Sequence, residues 1–357
     1  MFYRVIKCVF KMLIDSGTVP NAAPKMILIA GGSTESQERG ALNTCELFSI
    51  PDLCPQPNSP PMNSARRAPA LFQFKKNVFA VGGCSGPGQH LANAESVQFD
   101  GKSLTEWKTY EFEVPNAFSC ASFCQFLDGT AFAFGGFDGV QCSRQSLRIR
   151  PLPQSLPPPY PTVFQPENPL PYALKNGVAI AVAEEGQWHE EERQRRIWLV
   201  GGWDEHRTLK TLFEYSLPGG DCSLIGLLPY PIEGHSVAKS SLVAPQKAFI
   251  SGGFDGIRLR SDFLTIDLQS GTVQHLAGVG LRTARENHCS VIFGDGQGNE
   301  WLTIIGGWDG HKALSDWELF ELLPTAPWLR KTDKGPWGKK PPELGTKRNR
   351  AAALLIC

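Results

Sequence analysis

The 357-residue chain lacks net charge, because 35 Lys and Arg offset 35 Asp and Glu. That balance gives no bulk attraction to nucleic acid or to an anionic membrane. Long apolar runs are also missing. The opening stretch MFYRVIKCVFKMLIDS is broken by Arg4, Lys7 and Lys11. It therefore offers neither the unbroken apolar region of a secretory signal nor the roughly 20 apolar residues of a membrane span. Residues 1–24 read as an extension, with Val5, Cys8, Val9 and Met12 on one side of a short amphipathic helix. Cysteine is sparse for a disulfide scaffold, with 10 in the chain, no Cys-x-x-Cys spacing and no Asn-x-Ser/Thr sequon. A reduced, cytoplasmic chain is the expectation. Cys120, Cys124 and Cys289 fall in short apolar runs, where a thiol packs as a small hydrophobe. There is no Gly-x-Ser-x-Gly and no phosphate-binding glycine loop opening a helix. The expectation is of a protein that is not an enzyme and that needs no cofactor and no metal.

What the chain has is glycine in pairs. Gly31-Gly32, Gly82-Gly83, Gly135-Gly136, Gly201-Gly202, Gly252-Gly253 and Gly306-Gly307 each end a short apolar run: MILIA, VFAV, AFAF, IWLV, AFIS and LTII. A repeat of about fifty residues has to be explained before any other feature is read. In the later copies an aromatic and an Asp follow, as in GGFDG at 252–256 and GGWDG at 306–310. A second apolar run lies upstream of each pair, a third downstream, and a fainter fourth beyond. Four short strands per fifty residues is the content of one propeller blade. The tail AAALLIC is a first strand with no glycine pair behind it. Its natural place is inside the first blade, which closes the ring and leaves no open sheet edge there.

The order apolar strand, Gly-Gly, aromatic-Asp-Gly, loop, aromatic strand, then Trp (Trp107, Trp328) resembles the kelch repeat and covers roughly residues 25–357. The resemblance implies an all-β fold, a six-bladed kelch propeller with its first blade closed by the C-terminal strand. It is similar to the propeller part of kelch-like proteins, without their BTB and BACK domains. It implies a non-enzymatic module that binds a protein partner or peptide at the channel mouth. That partner would be a substrate in a cullin-type ubiquitin ligase pathway, or actin. A propeller enzyme, a lyase or epimerase with a polar mouth site, is the alternative. The copper site of galactose-oxidase-like kelch enzymes, with its two Tyr, two His and Tyr-Cys link, has no counterpart among the 6 tyrosines.

In a propeller the segments before the first strands and the loops after the glycine pairs open on one face around the channel. This selects Arg67, Arg258, Arg285, Arg350, Trp203, Phe254, Trp308 and His311 as candidate partner-binding residues. A guanidinium fork suits carboxylates, and Asn349-Arg350 resembles the channel-mouth arginine with which kelch-like adaptors grip acidic motifs. The same arginines could instead pair with the Asp turns and hold blades together. Asp138, Asp204, Asp255 and Asp309 share one repeat position and read as turn residues. His206 and His311 are equivalent but two blades apart, too far to share a zinc ion. The proline-rich 151–171 and the charged 184–196 (EEGQWHEEERQRR) read as an extended loop and a hairpin tip.

Overall fold

The structure, a computed structural model, describes residues 25–35, 39–57, 59–150, 163–185 and 194–357. The extension 1–24 and the central parts of the two insertions, 151–162 and 186–193, lie outside the described residues. Six four-stranded antiparallel sheets form the blades of a propeller. Their first strands are neighbours around the channel. Blade one takes its first strand from the C-terminus: Ala352–Ile356 pairs with Met26–Ala30, in the register Met26 to Ile356 and Ala30 to Ala352. The expected closure is therefore observed. Among the described residues no helix is long and apolar enough to cross a membrane.

The remaining blades follow in chain order. Blade two is Ala70–Phe74, Asn77–Val81, Asn93–Gln98 and Lys108–Glu113. Blade three is Ser122–Gln125, Ala131–Phe134, Ser146–Arg150 and Val163–Glu167. Blade four is Val178–Glu185, Gln194–Val200, Thr211–Leu217 and Asp221–Leu227. Blade five is Ser236–Lys239, Lys247–Ser251, Asp262–Asp267 and Val273–Gly280, and blade six is Cys289–Gly294, Glu300–Ile305, Trp317–Leu322 and Leu329–Thr332. One expectation is corrected. Val163–Glu167, read above as loop, is the outer strand of blade three, paired with Ser146–Arg150. An edge strand tolerates Pro166 because no further strand needs its missing N–H.

The second strands of blades one, three and six are buried along their whole length, and those of blades two, four and five from Val78, Ile197 and Ala248 onward, because a blade stands on either side of each. In blade two, Val78 and Ala80 pack toward Leu28 and Ala30 of blade one. Phe79 and Val81 pack toward Ala131 and Ala133 of blade three. The core is thus a set of apolar wedges between blades.

The glycine pairs are the stitches. The second glycine of each pair donates its N–H to a carbonyl of the next blade: Gly32 to Arg66 (2.8 Å), Gly83 to Phe118 (2.7 Å), Gly136 to Leu174 (2.7 Å), Gly202 to Ile232 (2.8 Å), Gly253 to Arg285 (2.7 Å) and Gly307 to Arg348 (2.9 Å). The approach leaves no room for a side chain. A Cβ on Gly82 or Gly306, both at positive φ, would lie 2.6 Å from the accepting oxygen of Phe118 or Arg348.

Candidate functional site

Each segment entering a first strand contributes three residues in sequence whose fates differ. The first position holds Arg66, Phe118, Leu174, Ile232, Arg285 and Arg348, the carbonyls that accept the glycine N–H groups. Its arginines are structural. Arg66, Arg285 and Arg348 are 0%, 0% and 1% exposed. Each guanidinium turns into its own blade. It bonds the first glycine's carbonyl (Gly82, 2.7 Å; Gly306, 2.8 Å; Gly31, 2.8 Å) and a third-strand carboxylate (Glu95, 2.8 Å; Glu318, 2.9 Å; Glu46, 2.6 Å). Those carboxylates also accept backbone N–H groups from the incoming segment, Glu95 from Asn63 (2.6 Å) and Ser64 (2.9 Å). In the other blades both positions are apolar: Phe118 with Leu147, Ile232 with Leu264, and Leu174 with Phe213. Arg285, expected at a partner surface, is therefore sealed inside blade six. The clamp joins strands of one blade and uses neither the Asp turns nor a neighbouring blade.

The second position holds Asn349, Arg67, Ser119, Lys175, Glu233 and Glu286. Each pairs through its backbone with the residue after its blade's glycine pair: Ser33, Cys84, Phe137, Trp203, Phe254 and Trp308 respectively. Blades three to six thus set a half-ring of partly exposed aromatics around the mouth. Lys175 sits between two of them, its Nζ 4.6 Å from the Phe137 ring and 4.5 Å from the Trp203 ring. Farther out, Val140 and Ile257 at the loop tips are 88% and 89% exposed. His206, Arg258 and His311 are also exposed there. Arg67 is buried at 8% exposure. The four aspartates serve as turn residues: Asp309 Oδ1 accepts the N–H of His311 and of Lys312, both at 2.8 Å, and Asp138, Asp204 and Asp255 repeat the pattern. The Gln141 N–H first among several holds the Asp138 carboxyl below its ordinary range.

The third position builds the channel. Ala68, Cys120, Asn176, Gly234, Asn287 and Arg350 all have φ between 51° and 61°. Each N–H donates to the carbonyl of its counterpart in the preceding blade, from Cys120 to Ala68 round to Ala68 to Arg350. The six bonds, 2.6 to 3.4 Å long, close a ring. With the residue following each, they line a cavity of about 160 Å³. Cys120 thus belongs to the channel wall, not to an apolar strand as its sequence context suggested, while Cys124 and Cys289 are buried as expected.

Arg350 is half-buried and crosses the channel from blade one. Its Nη1 lies 2.9 Å from Asn176 Oδ1 of blade four and 3.1 Å from Cys120 Sγ of blade three. Glu233 orients the amide by accepting from Asn176 Nδ2 at 2.8 Å, and Thr208 Oγ1 donates to its other oxygen at 3.1 Å. Unlike Arg66, Arg285 and Arg348, Arg350 forms no ion pair among the described residues. Glu286 and Glu233 act on it from beyond that distance. Burial pushes the Glu286 carboxyl up, with Arg350 opposing and Glu233 adding.

His235 and His288, which follow the ring residues of blades five and six, are 5% and 6% exposed. Burial lowers His235 to about 3 and His288 well below the usual imidazole range. Ser251 Oγ lies 2.8 Å from His288 Nε2, while His288 Nδ1 has no partner. The His235 ring lies near the Val200 carbonyl but makes no bond of good geometry through either nitrogen. Among the described residues no group of three or more His, Cys, Asp or Glu could hold a metal ion.

Sequence reasoning missed Cys120, Glu233 and Glu286. The repeat register, counted from the carbonyl that meets the glycine pair, would have found all three. No protein-family model matches the chain, and no curated protein registers as similar in sequence. Among solved structures, that of YjhT superposes with a TM-score of 0.62 over 85% of this chain and 97% of its own, at 12% identity. That likeness is one of fold alone.

Proposed function

We propose that the chain is a kelch-type propeller that works without catalysis, as a binding module for a protein partner presenting an acidic side chain at the channel mouth. The observation that carries this reading is Arg350. This half-buried guanidinium is hydrogen-bonded to a thiol and an amide oxygen and makes no direct bond to a carboxylate, Glu286 and Glu233 acting on it only from farther away. A carboxylate from outside would give it the direct ion pair that Glu46, Glu95 and Glu318 give the structural arginines. Trp203, Phe254 and Trp308 with exposed Val140 and Ile257 supply the apolar contact area that protein interfaces concentrate near their centre. The kelch resemblance suggests two kinds of partner, a substrate passed to a cullin-type ligase or actin.

The test is affinity capture from lysate with the wild-type chain and with Arg350→Gln, both checked by thermal melts. Arg285 is left intact, because its loss would open blade six. Proteins recovered by the wild type and lost from a folded Arg350→Gln support the reading. Equal recovery by both rejects the mouth as the site. One observation favours the alternative, a lyase or epimerase: Glu286, raised by burial, stands beside a polar cavity walled by two neutral imidazoles. Metabolite screening by thermal shift addresses it, since a substrate of that site stabilises the wild type and not Glu286→Gln.

A further inference from the structure

We propose that the gap between Phe254 and Trp308 at the mouth is a subsite for a cationic side chain, Lys or Arg, carried by the same partner segment that offers an acid to Arg350. The chain contains its own template for such a site. In blades four, five and six the second-position side chain leans on the preceding blade. Lys175 of blade four does so between Phe137 of blade three and Trp203 of its own blade, 4.6 Å and 4.5 Å from the two rings. Glu286 of blade six holds the equivalent place, with Phe254 on the preceding blade and Trp308 paired to it through the backbone. Its side chain leans the same way, since Oε2 lies 3.0 Å from where a Cβ on Gly234 of blade five would stand.

What differs is the charge. Blades three and four set their own ammonium against two ring faces, whereas blades five and six set a carboxylate in the same place. Among the described residues no cation stands over Phe254 or Trp308, and Glu286 forms no ion pair. Glu233, one blade earlier, is committed to Asn176 and Thr208. The arginines of the blade-five loop are engaged elsewhere. Arg260 lies 4.1 Å from the Tyr230 ring and bonds Asp255 at 3.2 Å, and Arg258 stands 3.8 Å from Asp255. Phe254 and Trp308 are both partly exposed. Two aromatic rings with a carboxylate behind them suit a cation, because ring faces attract positive charge and the carboxylate pairs with it.

The electrostatics of the mouth point the same way. Glu286 and Glu233 both act on Arg350, so a carboxylate drawn to the guanidinium also meets theirs. A ligand with an acid alone bears that repulsion. One that also brings a cation to Glu286 replaces it with attraction, and like-charge contact of this kind is what separates wrong partners from right ones. The partner segment is therefore one that presents an acidic and a basic side chain close together. That pairing rests on the binding function proposed above, whereas the cation subsite itself does not.

The experiment probes the cation without the peptide. Saturation-transfer NMR on the folded full chain uses N-acetyl-arginine amide and N-acetyl-lysine amide, with N-acetyl-glutamine amide as the neutral control. The cationic probes are expected to bind more tightly than the control, and Glu286→Gln should weaken them by roughly tenfold through loss of a charged contact. Trp308→Leu, which removes a ring and keeps the carboxylate, should weaken them as well. Arg350→Gln, which removes a neighbouring positive charge, should leave them bound at least as tightly. Cationic probes bound no better than the neutral one, or bound unchanged by folded Glu286→Gln and Trp308→Leu proteins, overturn the proposal. The probes carry no acid, so the two readings fail separately. Cation binding without selection of acidic peptides rejects the function proposed above and keeps the subsite, and acid selection without cation binding does the reverse.

Discussion

Arg66, Arg285 and Arg348 each come with a carboxylate at one position of their own third strand, while the three blades without the arginine carry an apolar residue at both places. The chain thus contains its own comparison between two solutions of one packing problem. Removing one member of a buried pair strands the other, at about 3–5 kcal/mol. Arg66→Leu is therefore expected to cost that much in urea unfolding. Arg66→Leu combined with Glu95→Leu should cost less than Arg66→Leu alone, although the N–H groups of Asn63 and Ser64 lose their acceptor. Additive costs would show that the pair does not act as a unit. This is also where the sequence was hardest to read. Arg348 and Arg350 are two residues apart and of one type, yet the first turns into its blade and the second into the channel. Only the accompanying Glu46, and the left-handed backbone at Arg350, tell them apart. The buried imidazoles give a further expectation. Unfolded, they take up protons near 6.5; folded, His235 does so only near about 3 and His288 well below 6.5. The stability they contribute is complete above pH 6.5 and falls as the pH drops below it, by about 1.4 kcal/mol per pH unit for each ring. Urea titrations between neutral and mildly acid pH should show this slope, and His235→Gln with His288→Gln should flatten it. A wild-type curve already flat there would mean that the rings are charged in the folded state.

At the level of the strand and its turn, the glycine pair was legible because nothing else fits it. The interblade hydrogen bond brings a carbonyl to where a Cβ would stand, so the requirement recurs in every blade and appears as a period. Gly82→Ala should therefore be much more destabilising than Gly88→Ala. Both have positive φ, but a Cβ at Gly82 meets the Phe118 carbonyl at 2.6 Å, whereas nothing lies within 4 Å at Gly88. The second change costs only the backbone preference, roughly 1–2 kcal/mol. Similar melting temperatures for the two variants would contradict the close approach. The turn aspartates were legible for a similar reason, since an Asx turn needs only local N–H groups. The outer strand of blade three was not, because Pro166 and its neighbouring prolines mask a strand that has to satisfy only one side.

Across the whole molecule, closure by Ala352–Ile356 brings the last blade against the first and completes the ring of hydrogen bonds at the channel. The ring fixes six backbones alike and leaves their side chains free to differ, so the repeat builds the frame and its irregularities build the site. That division explains why the architecture and the mouth position of Arg350 could be read from spacing and resemblance while Cys120, Glu233 and Glu286 around it could not. The ring position holds Ala68, Cys120, Asn176, Gly234, Asn287 and Arg350, and so ranges from no polar group through thiol and amide to guanidinium. The central claim is that this position, through Arg350, binds an acidic group. Selection from a displayed random-peptide library against the wild-type chain and against Arg350→Gln measures it most directly. Peptides enriched by the wild type are expected to share Asp or Glu, and the enrichment should vanish with a folded Arg350→Gln protein. Enriched peptides with no acidic residue, or the same acidic peptides held equally by the variant, would contradict it.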